Sequence, residues 1–555
     1  DLPVSGRPVV NVTLAINYAV NRWMGVDQRH DPEVPWETVS YRLLNILFHL
    51  CTGALIFGVL RRAMRESAVP EDWRADADPL AGAVCALWLL HPIQSEVINY
   101  ITQRTEGLAS LFYVATLYCS IRAWDAKDAG GRIGWYALGV TAALFGMGSK
   151  EIVISVPLAV VLYDRVFRLP SWRAIRRPGD GRGWFYLALA TVCAVSFAFL
   201  AFGARGSSAG FNLGMKWYDY FYTQCWAVAH YIRLVVWPSA LAIDYGTETI
   251  KGPGGVPGFV LLSLFGVATL VAWTRVQRWG WFAYLGTWFF MLLAPSSSFV
   301  PIPTEIAAER RIYLALAALM VLAVAGVEWL RRRFVSAMST RQLCALLGGI
   351  AAVLAIGTAA RSHTYSTGEL LWRDAVGKVP GNPRAVVNLG AAVAKEQPPR
   401  YAEAESLYRR AIAMDTACHF GCAQLAAIMT SQGRVADAAS LLERALSFDP
   451  GNAPLERQLA LVLMKLGAFD RAIPHLEHVA LNYPTPDHLV VLAVAYFVVR
   501  RPQDGIATFQ RAARRYPDNA EIRTLGSQLD AFGRSEEAAP HLKELAITLA
   551  KGWQQ

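Results

Sequence analysis

Lys150 and Glu151 stand side by side in GMGSKEIVIS (146–155), between an apolar run entering from Ile133 and another leaving towards Val160. Ionised side chains are costly among apolar spans and tend to mark functional positions. Three further clusters share this character. HPIQSEVINYITQRTEG (91–107) holds His91, Glu96, Arg104 and Glu106. AIDYG (242–246) holds Asp244 and Tyr245, and PIPTEIAAERRIYLAL (301–316) holds Glu309, Arg310 and Arg311. Arg and Lys converging on a membrane face suit a phosphate, and carboxylates beside them suit proton transfer. Together they predict a site for a lipid-linked phosphate; the plain alternative for any one cluster is interfacial charge.

These clusters need a scaffold that brings them to one face. The 555-residue chain is 54% hydrophobic and 17% charged, more apolar than an ordinary soluble domain, and the excess lies between about Tyr41 and Ala360. Ten spans are expected, near 41–60, 80–98, 106–122, 133–149, 152–167, 184–204, 257–274, 279–296, 311–330 and 342–361. Basic loops follow every second one: RRAMRESAVPEDWR, RAWDAKDAGGR, RVFRLPSWRAIRRPGDGR, RVQR and RRRF. The positive-inside bias places these loops in the cytoplasm. The four charged clusters then fall on the far side, as do residues 1–40 and everything after Arg361. The segment 221–245 is read as re-entrant or interfacial, because a full crossing would invert every later loop. The chain starts on the translocated side with neither an initiator Met nor a signal peptide, so at least one further span is expected upstream of Asp1.

After the last span the sequence repeats. Five units align on Ala404, Ala438, Ala472, Gly505 and Ala538, each preceded by a Leu and a small residue: Leu389-Gly390, Leu425-Ala426, Leu459-Ala460, Leu492-Ala493 and Leu525-Gly526. Pro450, Pro484 and Pro517 close three of them. This is the tetratricopeptide pattern, in which small residues let paired helices approach closely. Stacked units form a solenoid with a concave surface suited to extended peptides or partner domains. The fold class is therefore all-α: a polytopic membrane helix bundle followed by a tetratricopeptide-repeat α-solenoid. The expected parts are an outer juxtamembrane segment (1–40), a multi-span domain (41–361), a connecting helix (362–382) and five repeats (383–555). Leu370, Leu371, Ala375 and Val376 give the connecting segment an apolar face.

Net charge is +10, but no block forms a nucleic-acid stripe. Six of the eight cysteines lie in apolar segments as small core residues; Cys418 and Cys422 form the one close pair, able to make a local disulfide in an oxidising compartment. No His/Asp/Cys cluster has metal-ligand spacing, and no cofactor is required.

In their order, SGRPVVNVTLAINY (5–18), YRLLNILFHL (41–50), HPIQSEVINYITQRTEGLA (91–109), GSKEIVISVPLAVVLYD (148–164), YIRLVVWPSALAIDY (231–245), ERRIYLAL (309–316) and LLWRDAVGKVPGNPRAVVNLG (370–390) resemble the transmembrane and tetratricopeptide-repeat-containing O-mannosyltransferases and their bacterial relatives in the glycosyltransferase C superfamily. The resemblance implies a polyprenyl-phosphate sugar donor, commonly mannose, a protein hydroxyl acceptor, and inversion at the anomeric centre. It implies a catalytic carboxylate in a first outer loop that would precede Asp1. Carried onto this chain, it assigns Arg7, Arg104, Lys150, Arg310 and Arg311 to the donor phosphate and makes Glu96 and Glu151 the catalytic candidates, with Glu151 fixing the Lys150 ammonium. His91, Glu309, Asp244 and Tyr245 are further site candidates. The expected location is a bacterial inner membrane with periplasmic repeats, and the expected partners are the lipid-linked sugar, membrane lipids and a protein acceptor. The alternative is an inactive membrane scaffold whose repeats hold a partner complex.

Overall fold

The computed structural model describes residues 6–25, 36–176, 180–202, 215–298, 300–415, 418–519 and 522. Among the described residues the secondary structure is all helical, and the chain divides into two compact units, residues 1–379 and 380–555. The first holds α1 (Pro8–Trp23), α2 (Trp36–Ala63), α3 (Glu71–Arg74), α4 (Ala77–Leu89), α5 (Ser95–Asn99), α6 (Arg104–Asp125), α7 (Ala129–Met147) and α8 (Val156–Tyr163). It continues with α9 (Arg182–Phe202), α10 (Trp217–Val236), α11 (Val256–Thr274), α12 (Val276–Leu293), α13 (Leu316–Phe334), α14 (Thr340–Thr364) and α15 (Gly368–Lys378).

Among the described residues, three segments are long and apolar enough to cross a membrane: Thr38–Ala63, Gly252–Thr274 and Thr340–Thr364. A fourth is broken. The stretch expected as one span at 80–98 is α4, then a 3₁₀ turn (Pro92–Gln94) and α5, bent by 53°. Pro92 causes the break, because it has no N–H to continue the α4 ladder. The stretch expected as a span at 152–167 is likewise composite. A 3₁₀ turn (Glu151–Ser155) leads into the eight-residue α8, which ends in a π turn (Asp164–Arg168). The segment 221–245 is helical only as far as Val236.

The core of this unit lies where α2, α4, α6, α12 and α13 meet, and Trp88, Tyr113, Phe289 and Leu316 are each fully buried there. A polar knot ties it together. The Trp88 indole donates to the Tyr313 carbonyl at 3.0 Å, while His49 lies 2.8 Å from the Tyr313 hydroxyl and stacks on Trp88. Small residues set the spacings. A Cβ on Gly146 would lie 2.9 Å from Val153, and one on Gly148 2.7 Å from Val9, so these glycines let the 148–155 turn close against α7 and α1. Cys85, Cys119, Cys193 and Cys225 are buried as expected of small core residues, whereas Cys51 is exposed and Cys344 is half-buried.

The second unit contains α16 (Pro383–Ala394), α17 (Tyr401–Met414), α18 (His419–Ser431), α19 (Val435–Phe448), α20 (Ala453–Lys465), α21 (Phe469–Asn482), α22 (Pro486–Val498) and α23 (Pro502–Arg515). These are four helix pairs. The Leu525-Gly526 and Ala538 positions of the fifth repeat lie outside the described residues. The first helix of three pairs starts at a polar cap followed by Pro within the first turn: Asn382 accepts from the Arg384 and Ala385 amides, Asn452 from Leu455 and Thr485 from His488. The aligned Ala404, Ala438 and Ala472 are 0% exposed. A Cβ on Gly390 would meet the Tyr408 ring at 2.7 Å and one on Gly505 the Phe497 ring at 2.8 Å, which is why small residues recur there. Cys418 and Cys422 are free thiols.

Candidate functional site

The SKE sequence is the turn joining α7 to the 3₁₀ turn before α8. The Lys150 amide still bonds the Gly146 carbonyl at 3.0 Å, but Lys150 itself is extended (φ −161°, ψ 150°). Successive side chains of extended backbone diverge, and the two charges accordingly part company. Lys150 pairs with Glu106, a fully buried carboxylate near the start of α6. Glu151 faces Arg7, the N-cap residue of α1, at 3.7 Å. The expectation that Glu151 fixes the Lys150 ammonium is thus corrected: Glu106 does so. The Val9 amide donates to the Gly148 carbonyl at 3.2 Å and seats the start of α1 on this turn. The Arg7 and Glu151 side chains are 25% and 34% exposed, and that of Lys150 17%, so all three reach solvent.

Glu96 and Arg310 meet across 214 positions of sequence. Glu96 Oε1 accepts from Arg310 Nη1 at 2.6 Å and Oε2 from the Arg310 amide at 3.0 Å, and Arg310 also pairs with Glu305. One guanidinium is held between two carboxylates. This bidentate contact fixes the loop before α13 against α5.

Arg104 and Arg311 are held by internal hydrogen bonds. Arg104 is 1% exposed and donates to Asn45, Asn17 and the carbonyls of Thr13 and Tyr41, at 2.8–3.2 Å. It ties α6 to α1 and α2. Arg311 donates to Gln224 Oε1 at 3.3 Å, the Ile306 carbonyl at 3.2 Å and the Glu305 carbonyl. Both guanidinia are sequestered by neutral oxygens and bind backbone together. His91 is equally occupied. Its Nδ1 accepts from the Ile93 amide at 3.2 Å, which leaves Nε2 to donate to the Val235 carbonyl at 2.9 Å. That tautomer is neutral. Asp244 accepts from the Gly246 amide at 2.8 Å and shapes the turn in which Gly246 has φ +85°.

Glu309 is the candidate whose environment is least ordinary. It is 1% exposed, and its Oε1 accepts from the Tyr245 hydroxyl and the Ala242 amide, both at 2.6 Å. Among the described residues its Oε2 has no hydrogen-bond partner. Burial pushes the carboxyl up to about 8; Arg361 opposes this and Glu96 adds to it. Arg361, on the last turn of α14, bonds Asp374 of α15 at 2.5 Å, while among the described residues its Nε and Nη2 lack hydrogen-bond partners, as does the buried Tyr365 hydroxyl. A half-satisfied polar knot therefore joins the 309–311 loop, the end of α14 and α15. Lys378 closes α15 onto it by donating to the Leu241 carbonyl at 2.7 Å. In the sequence Glu106 stands in a cluster without an assigned role and Arg361 only bounds a span. The available signal was an Arg in the final turn of an apolar helix with an Asp 13 positions later.

Among the described residues no group of three or more His, Cys, Asp or Glu could hold a metal ion.

A tetratricopeptide repeat family model matches residues 429–494. Over 162 residues the chain is 27% identical to the protein O-mannosyl-transferase Tmtc2 of Drosophila melanogaster, across 29% of this chain and 15% of that protein. The chain thus matches well under a quarter of that relative's length. Similar solved structures include TTC0263, a thermophilic TPR protein of Thermus thermophilus, at 21% identity over 32% of this chain and 93% of that one, with a TM-score of 0.24. YrrB, a TPR protein with an unusual peptide-binding site, is 15% identical over 31% and 85%, with a TM-score of 0.25. Pseudomonas aeruginosa pilF is 20% identical over 36% and 92%, with a TM-score of 0.27.

Proposed function

We propose that the chain is a membrane glycosyltransferase that moves a sugar, mannose in the first instance, from a polyprenyl-phosphate donor to hydroxyls of a protein acceptor. The similarity to an O-mannosyl-transferase supports the reaction class. The repeats support a protein as acceptor or partner. The observation that carries the reading is the 148–151 turn, where Lys150 and Arg7 are held by buried or neighbouring carboxylates and still reach solvent.

In this reading Lys150 and Arg7 meet the donor phosphate and neutralise the charge that develops on it as the sugar leaves. Glu106 keeps the Lys150 ammonium in place, so little reorganisation is needed at the moment of reaction. Arg310 belongs to the same face but acts through Glu96 and Glu305 as a positioning residue. Glu151, beside Arg7, is the exposed carboxylate near the phosphate site. The reading places the enzyme in a bacterial inner membrane as a multi-pass protein, with this turn and the repeats on the periplasmic side, in keeping with the alternation of basic loops.

A second reading is a scaffold that binds a partner complex through its repeats. It is favoured by the full occupation of Arg104, Arg311 and His91 by internal bonds. One experiment separates the two. Purified full-length chain in liposomes is given radiolabelled mannosyl polyprenyl phosphate and a hydroxyl-bearing protein acceptor. Label in the acceptor supports the transferase. Label remaining wholly in lipid, with a stable protein complex recovered from native membranes, supports the scaffold.

A further inference from the structure

Away from the charged turns, the first unit encloses a cavity of about 90 Å³ between α2, α4, α6, α8, α12 and α13. Its deep wall is apolar and well buried: Val84 is 2% exposed, Leu117 3% and Trp288 7%. An apolar cavity of this kind excludes water, and leaving it empty forfeits packing on every side. Three lining residues, Tyr163, Tyr284 and Trp288, carry polar atoms that nothing among the described residues satisfies. Tyr163 is 1% exposed and Tyr284 6%, their rings lie edge to face at 5.7 Å, and among the described residues neither hydroxyl has a hydrogen-bond partner. Buried hydroxyls in native proteins are nearly always paired, so the occupant supplies an acceptor as well as apolar bulk.

The mouth indicates where the occupant comes from. Half-exposed Leu60, Met64, Trp73 and Trp281 surround it, and Trp73 and Trp281 approach to 5.9 Å. Trp279, exposed, lies 6.5 Å from Trp281 and directly follows the basic RVQR segment. Tryptophans grouped beside Arg-rich loops are the signature of the membrane–water interface. The Tyr163 hydroxyl is within electrostatic reach of Arg168, Glu66, Asp125 and Arg62, and Arg168 bridges Glu66 and Asp125 at 2.9 Å each. A polar, mixed-charge rim thus stands over an apolar well at headgroup depth.

We propose that this cavity binds one acyl chain of a membrane phospholipid, which enters beside Trp73 and Trp281 and offers its ester carbonyl to the Tyr163 hydroxyl. The site lies on the side of the basic loops and is distinct from the 148–151 turn. The hydrocarbon fills the void between α2 and α12, and the headgroup rests among the charges of the rim.

The test uses the full chain in nanodiscs of phosphatidylglycerol carrying a diazirine at the end of one acyl chain. After irradiation, labelled positions are mapped by mass spectrometry. The proposal expects label on Val84, Leu117 and Trp288, which the outer bilayer does not touch. It expects Ala325→Phe, which fills the cavity, to lower that label at least fivefold while label on the exposed Val267 stays constant. Should Ala325→Phe fail to fold, Tyr163→Phe serves instead, with selective loss of ester-linked over ether-linked lipid as its readout. Label confined to exposed positions such as Val267 would overturn the site. Displacement of the deep label by polyprenyl phosphate but not by unlabelled phospholipid would overturn the phospholipid assignment.

Discussion

At the scale of single residues, adjacency in sequence says little about pairing. Lys150 and Glu151 stood out because two charges interrupt an apolar run, and that much was legible. Their partners were not, because the extended backbone at Lys150 sends one side chain to Glu106 and the other to Arg7. Glu309 shows the same limit, since its partners Ala242 and Tyr245 lie more than 60 positions away. Its titration gives a prediction with a definite sign. A carboxyl raised from 4.5 to about 8 by burial holds a proton in the native state that the unfolded chain has released. Stability from this group is therefore fully present below about pH 4.5, falls as pH rises from there and is lost by about pH 8. Thermal melts of the detergent-solubilised protein between pH 5 and 9 should show that decline, and Glu309→Gln should flatten it. An unchanged slope in Glu309→Gln would assign the pH dependence elsewhere.

At the scale of elements, the repeats were the most legible part of the chain. Each unit states its Leu-small pair and its aligned small residue, three close on a Pro, and in the four described pairs the small residues serve as close-packing contacts. Ala472 is 0% exposed between α21 and its neighbours, so Ala472→Leu should overpack the interface and destabilise the array by about 1–3 kcal/mol. Chemical denaturation of residues 380–555 followed by circular dichroism would register this as a lower midpoint, and an unaltered midpoint would contradict the packing account. The membrane elements were less legible. Hydropathy located apolar ranges but not their interruptions: Pro92 bends the second by 53°, and the stretch after Lys150 divides into 3₁₀, α and π turns. The first break has a local cause in Pro92, whereas the second depends on tertiary contacts between Gly146, Gly148 and their neighbours that no local pattern records.

At the scale of the whole molecule, the two units meet in sequence at Val379 and Pro380. A solenoid packs mainly on itself, so chains ending at Val379 should retain the helical content and melting of the first unit, measured against the full-length protein. Collapse of the truncated chain into aggregate under the same conditions would show that the repeats are needed for its folding. Orientation is open to a simple assay. In a cysteine-free background, Ser171→Cys and Thr247→Cys, both at exposed positions, should label oppositely with an impermeant thiol reagent in intact cells. Equal labelling would remove the basis for placing the charged turns on the far side.

The claim on which the functional account rests is that Lys150 and Arg7 meet a donor phosphate. Its most direct test is the initial rate of mannose transfer from mannosyl polyprenyl phosphate by reconstituted full-length protein, compared with Lys150→Ala and Arg7→Ala of equal yield and melting temperature. Losing a charge-assisted hydrogen bond of about 1.5–3 kcal/mol corresponds to roughly ten- to 150-fold in rate. The account predicts a fall of that order in each variant, with the larger loss at Lys150, whose ammonium the buried Glu106 holds in place. Transfer at the unmodified rate in the Lys150→Ala, Arg7→Ala double variant would contradict it.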